Sequence, residues 1–157
     1  MILWFVAVSA LLVAALFRDQ RIDYRLVAIG SIAPNVVDAP AGGQRYGHAL
    51  VSSAVVLVGV VLATRGRPHA RRRWRGFPMG LFGHLLLEGG WTHPEGFWWP
   101  ALGTDFPDAR LFPSAAVVVA EEVAGVAAAV WIWRRSVLGD GPRRRALIRS
   151  GRLELVA

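Results

Sequence analysis

The sequence predicts an all-α fold: an integral membrane helical bundle of about five apolar segments over residues 1–135, with a basic cytoplasmic tail over 136–157. Three observations carry this. The chain is 54% hydrophobic with a mean hydropathy of +0.41, beyond a usual soluble domain. Its apolar residues gather into runs separated by short charged or Gly/Pro-rich stretches. All 18 basic residues are arginine, and 16 of them fall in three of those stretches, 18–25, 65–76 and 134–157.

The first run, MILWFVAVSALLVAALF (1–17), is apolar without a break and reaches about 26 Å as a helix, just enough to span. It has no basic n-region and leaves through FRDQR rather than a small-residue cleavage site, so a retained helix is expected and not a signal peptide. RDQRIDYR (18–25) reads as a charged turn. LVAIGSIAPNVV (26–37) is apolar but short, and Pro34 breaks its pattern; it is either a span beginning near Ile22 or a broken helix at a cavity.

DAPAGGQRYG (38–47) reads as a loop. HALVSSAVVLVGVVLAT (48–64) is a third apolar run with small residues suited to close packing. After the arginine-rich RGRPHARRRWRG (65–76) comes a shorter helical run, FPMGLFGHLLLEGGW (77–91). The Pro-, Gly- and aromatic-rich stretch 92–112 reads as an interfacial loop. PSAAVVVAEEVAGVAAAVWIW (113–133) is the last span, with Pro113 suited to a first helical turn. The tail from Arg134 reads as cytoplasmic and partly disordered.

Arginine-rich and arginine-poor connections alternate along such a chain. The positive-inside rule places the three arginine-rich segments in the cytoplasm, with the N-terminus and the loops 38–47 and 92–112 outside. The net charge of +7 is thereby accounted for by topology, and no nucleic-acid partner is expected. The absence of cysteine excludes disulfides, thiolate metal sites and thiol catalysis.

This topology brings four metal-capable side chains to one depth near the outer face. Asp38 ends the second span, His48 begins the third, Glu88 lies near the outer end of the fourth, and His84 sits one turn deeper. Singly, each has a plain reading: a core histidine, a turn former, an interfacial acid, a polar cap. Together they are the N and O ligands that zinc, manganese or iron accept, at a depth where ionisable groups are costly. The i, i+4 spacing stacks His84 and Glu88 on one helix face. Asn35 and Thr92 are candidate hydrogen-bond partners behind those ligands. His93 reads as solvated in the outer loop, and His69 falls on the arginine side. Glu121 and Glu122 lie deep in the last span, and at least one of them is expected to face the interior as a ligand, a general base, the partner of a buried arginine or a protonated acid; the sequence does not choose between them.

GSIAPNVVDAP (30–40), RYGHAL (45–50) and GLFGHLLLEGGWTHPEGFWWPALG (80–103) resemble, in order and at suitable spacing, three blocks of the YdjM-like membrane-bound metal-dependent hydrolases. The resemblance covers about a quarter of the chain. It implies metal binding by Asp38, His48, His84 and Glu88, with Asn35 beside them. That family is distantly similar to zinc-dependent phospholipases C and single-strand nucleases, whose helices carry His-x-x-x-Asp/Glu pairs like His84–Glu88. The implied activity is hydrolysis of a phosphoester or lipid-linked substrate, with zinc as the first candidate metal. The chain departs from the family at Asn35, where Asp is usual, at Ala49, where Ser is usual, and at Glu88, where Asp is commoner. The competing expectation is a non-enzymatic membrane protein: a metal or proton transporter using Glu121 or Glu122 as a relay, or a subunit of a membrane assembly.

Overall fold

A computed structural model describes residues 1–17, 22–92, 94–106, 110, 112–137 and 141–153. His93 and the last four residues lie outside them. The chain is helical, and among the described residues extended pairing is confined to one isolated bridge, Gly43 with Arg110. Five apolar helices correspond to the five apolar runs: α1 (Ile2–Phe17), α2 (Tyr24–Asp38), α3 (Leu50–Ala63), α5 (Gly76–Leu87) and α7 (Ala115–Ile132). Short α4 (Pro68–Trp74) and α6 (Pro94–Phe97) lie in the connections, and α8 (Gly141–Ser150) follows α7 after a π-helical turn.

By length and composition, the stretch Ala115–Arg135 is the one segment among the described residues able to cross a membrane; α1 and α3 are apolar but shorter. Only 6% of that long window is buried, so α7 presents most of its apolar surface outward.

α2 runs unbroken through Pro34, starting from Asp23, whose carboxylate caps the helix by accepting from Arg25 N at 3.1 Å. It packs on α5 through glycines. A Cβ at Gly80 would overlap the Val27 carbonyl, one at Gly30 would overlap the Phe77 carbonyl, and one at Gly76 would press on the Asp23 carbonyl. Bare backbone therefore lets the helices approach as small-residue stripes do in membrane bundles. The pairings Asp23–Gly76 and Val27–Gly80 advance four residues along each chain, so the two helices run in the same direction. The next step of that register pairs Ser31 with His84, and the one after brings Asn35 level with Glu88.

α1 lies against α2, α5 and α7. Gly125 of α7 sits on the backbone of Leu3 and Trp4, where any side chain would collide. α3 is peripheral, with Ser53 its one buried residue.

The arginine-rich segments meet at one end of the bundle. Asp23 is almost fully buried and binds Arg25 (Nη2, 2.8 Å) and Arg73 (Nε, 3.0 Å). Burial pushes its carboxyl up, but hydrogen bonds and charge from Arg25, with Arg73 behind, outweigh that and hold it below the usual carboxylate range. The tail closes the same junction. Tyr24 N donates to the Gly151 carbonyl at 2.8 Å, Arg25 Nη1 to the Ile148 carbonyl at 2.9 Å, and Leu153 is buried with Val13, Ile22 and Val27. Where composition suggests partial disorder, residues 141–153 form a helix and a docked segment.

Candidate metal centre

At the opposite end lies the polar cluster. His48 comes from a 3-10 turn, Tyr46–His48, just before α3; His84 comes from the last turn of α5; Glu88 is the residue that ends that helix. Their ligand atoms form a triangle. His48 Nε2 and His84 Nε2 are 3.4 Å apart, and Glu88 Oε2 lies 3.1 Å from the first and 3.2 Å from the second. His84 is fully buried, His48 5% exposed, and the Glu88 side chain 10% exposed. These three buried side chains can bind a metal ion. The i, i+4 pairing read from the sequence is realised in His84 and Glu88.

Hydrogen bonds behind the triangle fix its polarity. His84 Nδ1–H donates to the Ser31 carbonyl at 2.7 Å, an oxygen that can only accept. His48 Nδ1–H donates to Asp38 Oδ2 at 2.7 Å. Both imidazoles thus turn an Nε2 lone pair toward the centre, where the Glu88 oxygen also points. With both imidazoles neutral, three electron-rich atoms at such spacing repel unless a proton or a metal ion lies among them. Gln44 Nε2 donates to Glu88 Oε1 at 3.0 Å, which leaves Oε2 for the centre. Phe5 of α1 stacks on His84 with ring centroids 3.8 Å apart, closing the inner side.

Asp38 takes a different place from the one expected of it. Its carboxylate is spent on His48 Nδ1, on Arg45 N–H (2.6 Å) and on Gly47 N–H (3.0 Å). It holds the loop 39–47 against the end of α2 and orients His48, as carboxylates behind metal-binding histidines do. Gly47 is required there: a Cβ would come within 2.8 Å of the Pro34 carbonyl and 3.1 Å of the Asp38 carboxylate.

The other candidates divide. Asn35 lies on the α2 face between Ser31 and Asp38, and its Oδ1 is buried without a hydrogen-bond partner. Thr92 is exposed, its hydroxyl donating to the Gly89 carbonyl at 2.7 Å. The two adjacent glutamates separate as their angular offset requires. Glu122 accepts from Ile2 N (2.6 Å), Leu3 N (3.1 Å) and the Met1 amine, capping the otherwise unsatisfied first turn of α1. Glu121 has a buried Oε2 with no hydrogen-bond partner and lies within electrostatic reach of Glu88 and His84.

Aromatic residues cover the cluster. Tyr46, Trp99 and Phe106 pack on one another, with Trp99 and Phe106 stacked at 5.5 Å, and the Arg45 guanidinium lies over Phe106. Trp98 stays exposed at the edge of Phe97. Beneath them a cavity of about 10 Å³, bordered by Gln44, Arg45, His48, Phe97 and Phe106, has the room one water molecule needs. Ser31, Gln44 and Phe5 went unnoticed in the sequence. Ser31 had a signal, lying seven residues before Asp38 on the same face of α2; Gln44 and Phe5 had none.

No family model, curated protein or solved structure matches the chain.

Proposed function

We propose that the chain is an integral membrane, metal-dependent hydrolase whose metal is held by His48, His84 and Glu88. The observation that carries this is the triangle of ligand atoms with edges of 3.1–3.4 Å. Zinc bonds of about 2.0–2.1 Å put the corners of a tetrahedron about 3.3–3.4 Å apart, against about 2.9 Å for an octahedron of the same bond length. Two histidines and one carboxylate are also a donor set of catalytic zinc, which keeps a further position open. The donor set makes zinc the first candidate, ahead of manganese or iron.

Held by His48, His84 and Glu88, a zinc ion would supply Lewis acidity toward a phosphoryl or acyl oxygen and would lower the pKa of a bound water. The chain's own groups do the rest. Asp38 and Ser31 hold the imidazoles in one tautomer. Asn35 Oδ1 offers a hydrogen-bond acceptor at the level of Glu88. Glu121 is the general base, its free oxygen available to take a proton. The aromatic cover excludes bulk water and suits an amphipathic, lipid-linked phosphoester.

Membrane residence is supported by the outward apolar surface of α7 and by the meeting of Arg25, Arg73 and the basic tail at the end opposite the cluster. In this reading α1, α2, α3 and α5 also span. Helices of 12–16 residues, as α1–α3 and α5 are, reach about 18–24 Å, which this reading accommodates in a locally thinned bilayer. The N-terminus and the metal centre then face outward and the tail the cytoplasm.

The test is metal analysis of the purified protein in detergent, with His84→Ala and Glu88→Ala alongside, followed by hydrolysis of a p-nitrophenyl phosphate ester and of a phospholipid. One metal per wild-type chain, lost in both variants, together with chelator-sensitive hydrolysis, is expected. A wild-type protein without stoichiometric metal overturns the proposal. Metal-dependent uptake into proteoliposomes without hydrolysis would identify a transporter instead.

A further inference from the structure

Two open grooves flank the peripheral helix α3. The larger, of about 540 Å³, is walled by Val56, Gly59 and Val60 of α3 and by Phe77 of α5, and it ends on Arg67 and Trp74. The second, of about 480 Å³ on the other flank, is almost wholly apolar and ends on Arg75 and Phe17. In both, an apolar trough terminates in an arginine and an aromatic ring at the arginine-rich end of the bundle, away from the metal centre.

The larger groove has a definite occupant chemistry. A Cβ at Gly59 would meet nothing within 4 Å, so the trough is open where the helix carries its smallest residue. Arg73 of α4 is tied to Asp23, whereas Arg67, at the mouth, pairs with no carboxylate among the described residues. A guanidinium is weakly hydrated and forked, matched to a phosphate. Trp74 is 47% exposed beside it, as tryptophans at the headgroup level of a bilayer are.

We infer that this groove binds one anionic diacyl phospholipid, its phosphate on Arg67 and an acyl chain along Val56, Gly59 and Val60. The inference rests on the chain residing in a bilayer and is independent of the metal chemistry. The lipid fills the space beside α3 that no other helix covers. Its headgroup neutralises a charge that would otherwise face its neighbours Arg65 and Arg71 unrelieved. Phosphatidylcholine offers the same chains and phosphate, but its choline cancels the headgroup's net charge; it binds more weakly.

The experiment is native mass spectrometry of the full chain in detergent, titrated separately with dioleoylphosphatidylglycerol and dioleoylphosphatidylcholine. One phosphatidylglycerol is retained per chain with about fivefold preference, the worth of one arginine near an anionic headgroup. Arg67→Gln abolishes the preference. Gly59→Leu, whose Cβ enters open space, occupies the trough, lowers retention of both lipids and does not lower the melting temperature. Equal retention of the two lipids by wild type overturns the inference, as does undiminished phosphatidylglycerol binding by Gly59→Leu or a dimer free of lipid. Metal content, measured on the same samples and unaffected by either substitution, separates this result from the hydrolase proposal.

Discussion

The Nδ1–H of His84 donates to the carbonyl of Ser31, 2.7 Å away on a different helix, and this bond ties the candidate metal centre to the packing of α2 on α5. Both partners sit one helical turn beyond the close approach of Gly80 to Val27. The centre therefore depends on a glycine that touches no ligand. Gly80→Ala forces the helices apart, because its Cβ would overlap the Val27 carbonyl. The expected cost is about 1–3 kcal/mol, with loss of bound metal. Thermal unfolding in detergent with metal analysis checks this, and Gly59→Ala, whose Cβ faces open space on α3, serves as the control that keeps its metal and does not lose stability.

Asp38→Asn keeps an acceptor for Gly47 N–H but sets an amide where His48 Nδ1–H now donates. His48 then loses its preferred tautomer and orientation. Metal affinity should fall about 10–100-fold while the helical content stays that of wild type. Competition against a chromophoric chelator measures it; an unchanged affinity would show that Asp38 does not orient the ligand.

Glu121 and Glu122 should part in their phenotypes. Glu121→Gln is expected to retain metal and lose about 10²–10⁴-fold in hydrolysis, as removal of a general base does. Glu122→Gln should keep the chemistry and lose about 1 kcal/mol of stability, because it weakens the cap on the first turn of α1. Steady-state rates and melting temperatures on the two variants decide it, and equal losses of rate would reject the division of roles.

Acid should weaken the arginine-rich end through Asp23. Its carboxyl titrates below the ordinary range in the folded chain. The stabilisation is thus fully present above the unfolded value, about pH 4, and disappears as pH falls through the depressed folded value. Asp23→Asn should cost about 1–3 kcal/mol at neutral pH. Melting temperatures of wild type and variant should converge on acidification, and a gap independent of pH between 7 and 3 would exclude this origin.

Much of the site was legible because ligand chemistry is local. His84 and Glu88 are four residues apart on one helix, and their placement in a leucine run has no packing explanation. His48 follows from the alternation of arginine-rich and arginine-poor connections, which assigns it to the same end of the bundle as Glu88. The alternation itself has a structural counterpart: Arg25, Arg73 and the Ile148–Gly151 segment meet at the end of the bundle opposite His48. Asp38 was placed at the cluster, but its role was not legible. A carboxylate can serve as a ligand or hold a ligand, and the difference is which nitrogen of His48 it meets, a matter of loop geometry over residues 39–47.

The sequence by itself determined the apolar segments, the basic end, and the chemical types gathered at the other end, because hydropathy, charge and i, i+4 spacing are properties of short stretches. The tertiary structure alone decided which atoms converge. Glycine contacts between distant helices set the register of Ser31 against His84. Close packing of α1 on α7 turned Glu122 into a cap and left Glu121 a free oxygen. The loop that carries Gln44 reaches Glu88 across 44 residues of chain. Such long-range geometry arises from the mutual fit of backbones, and no local pattern encodes it.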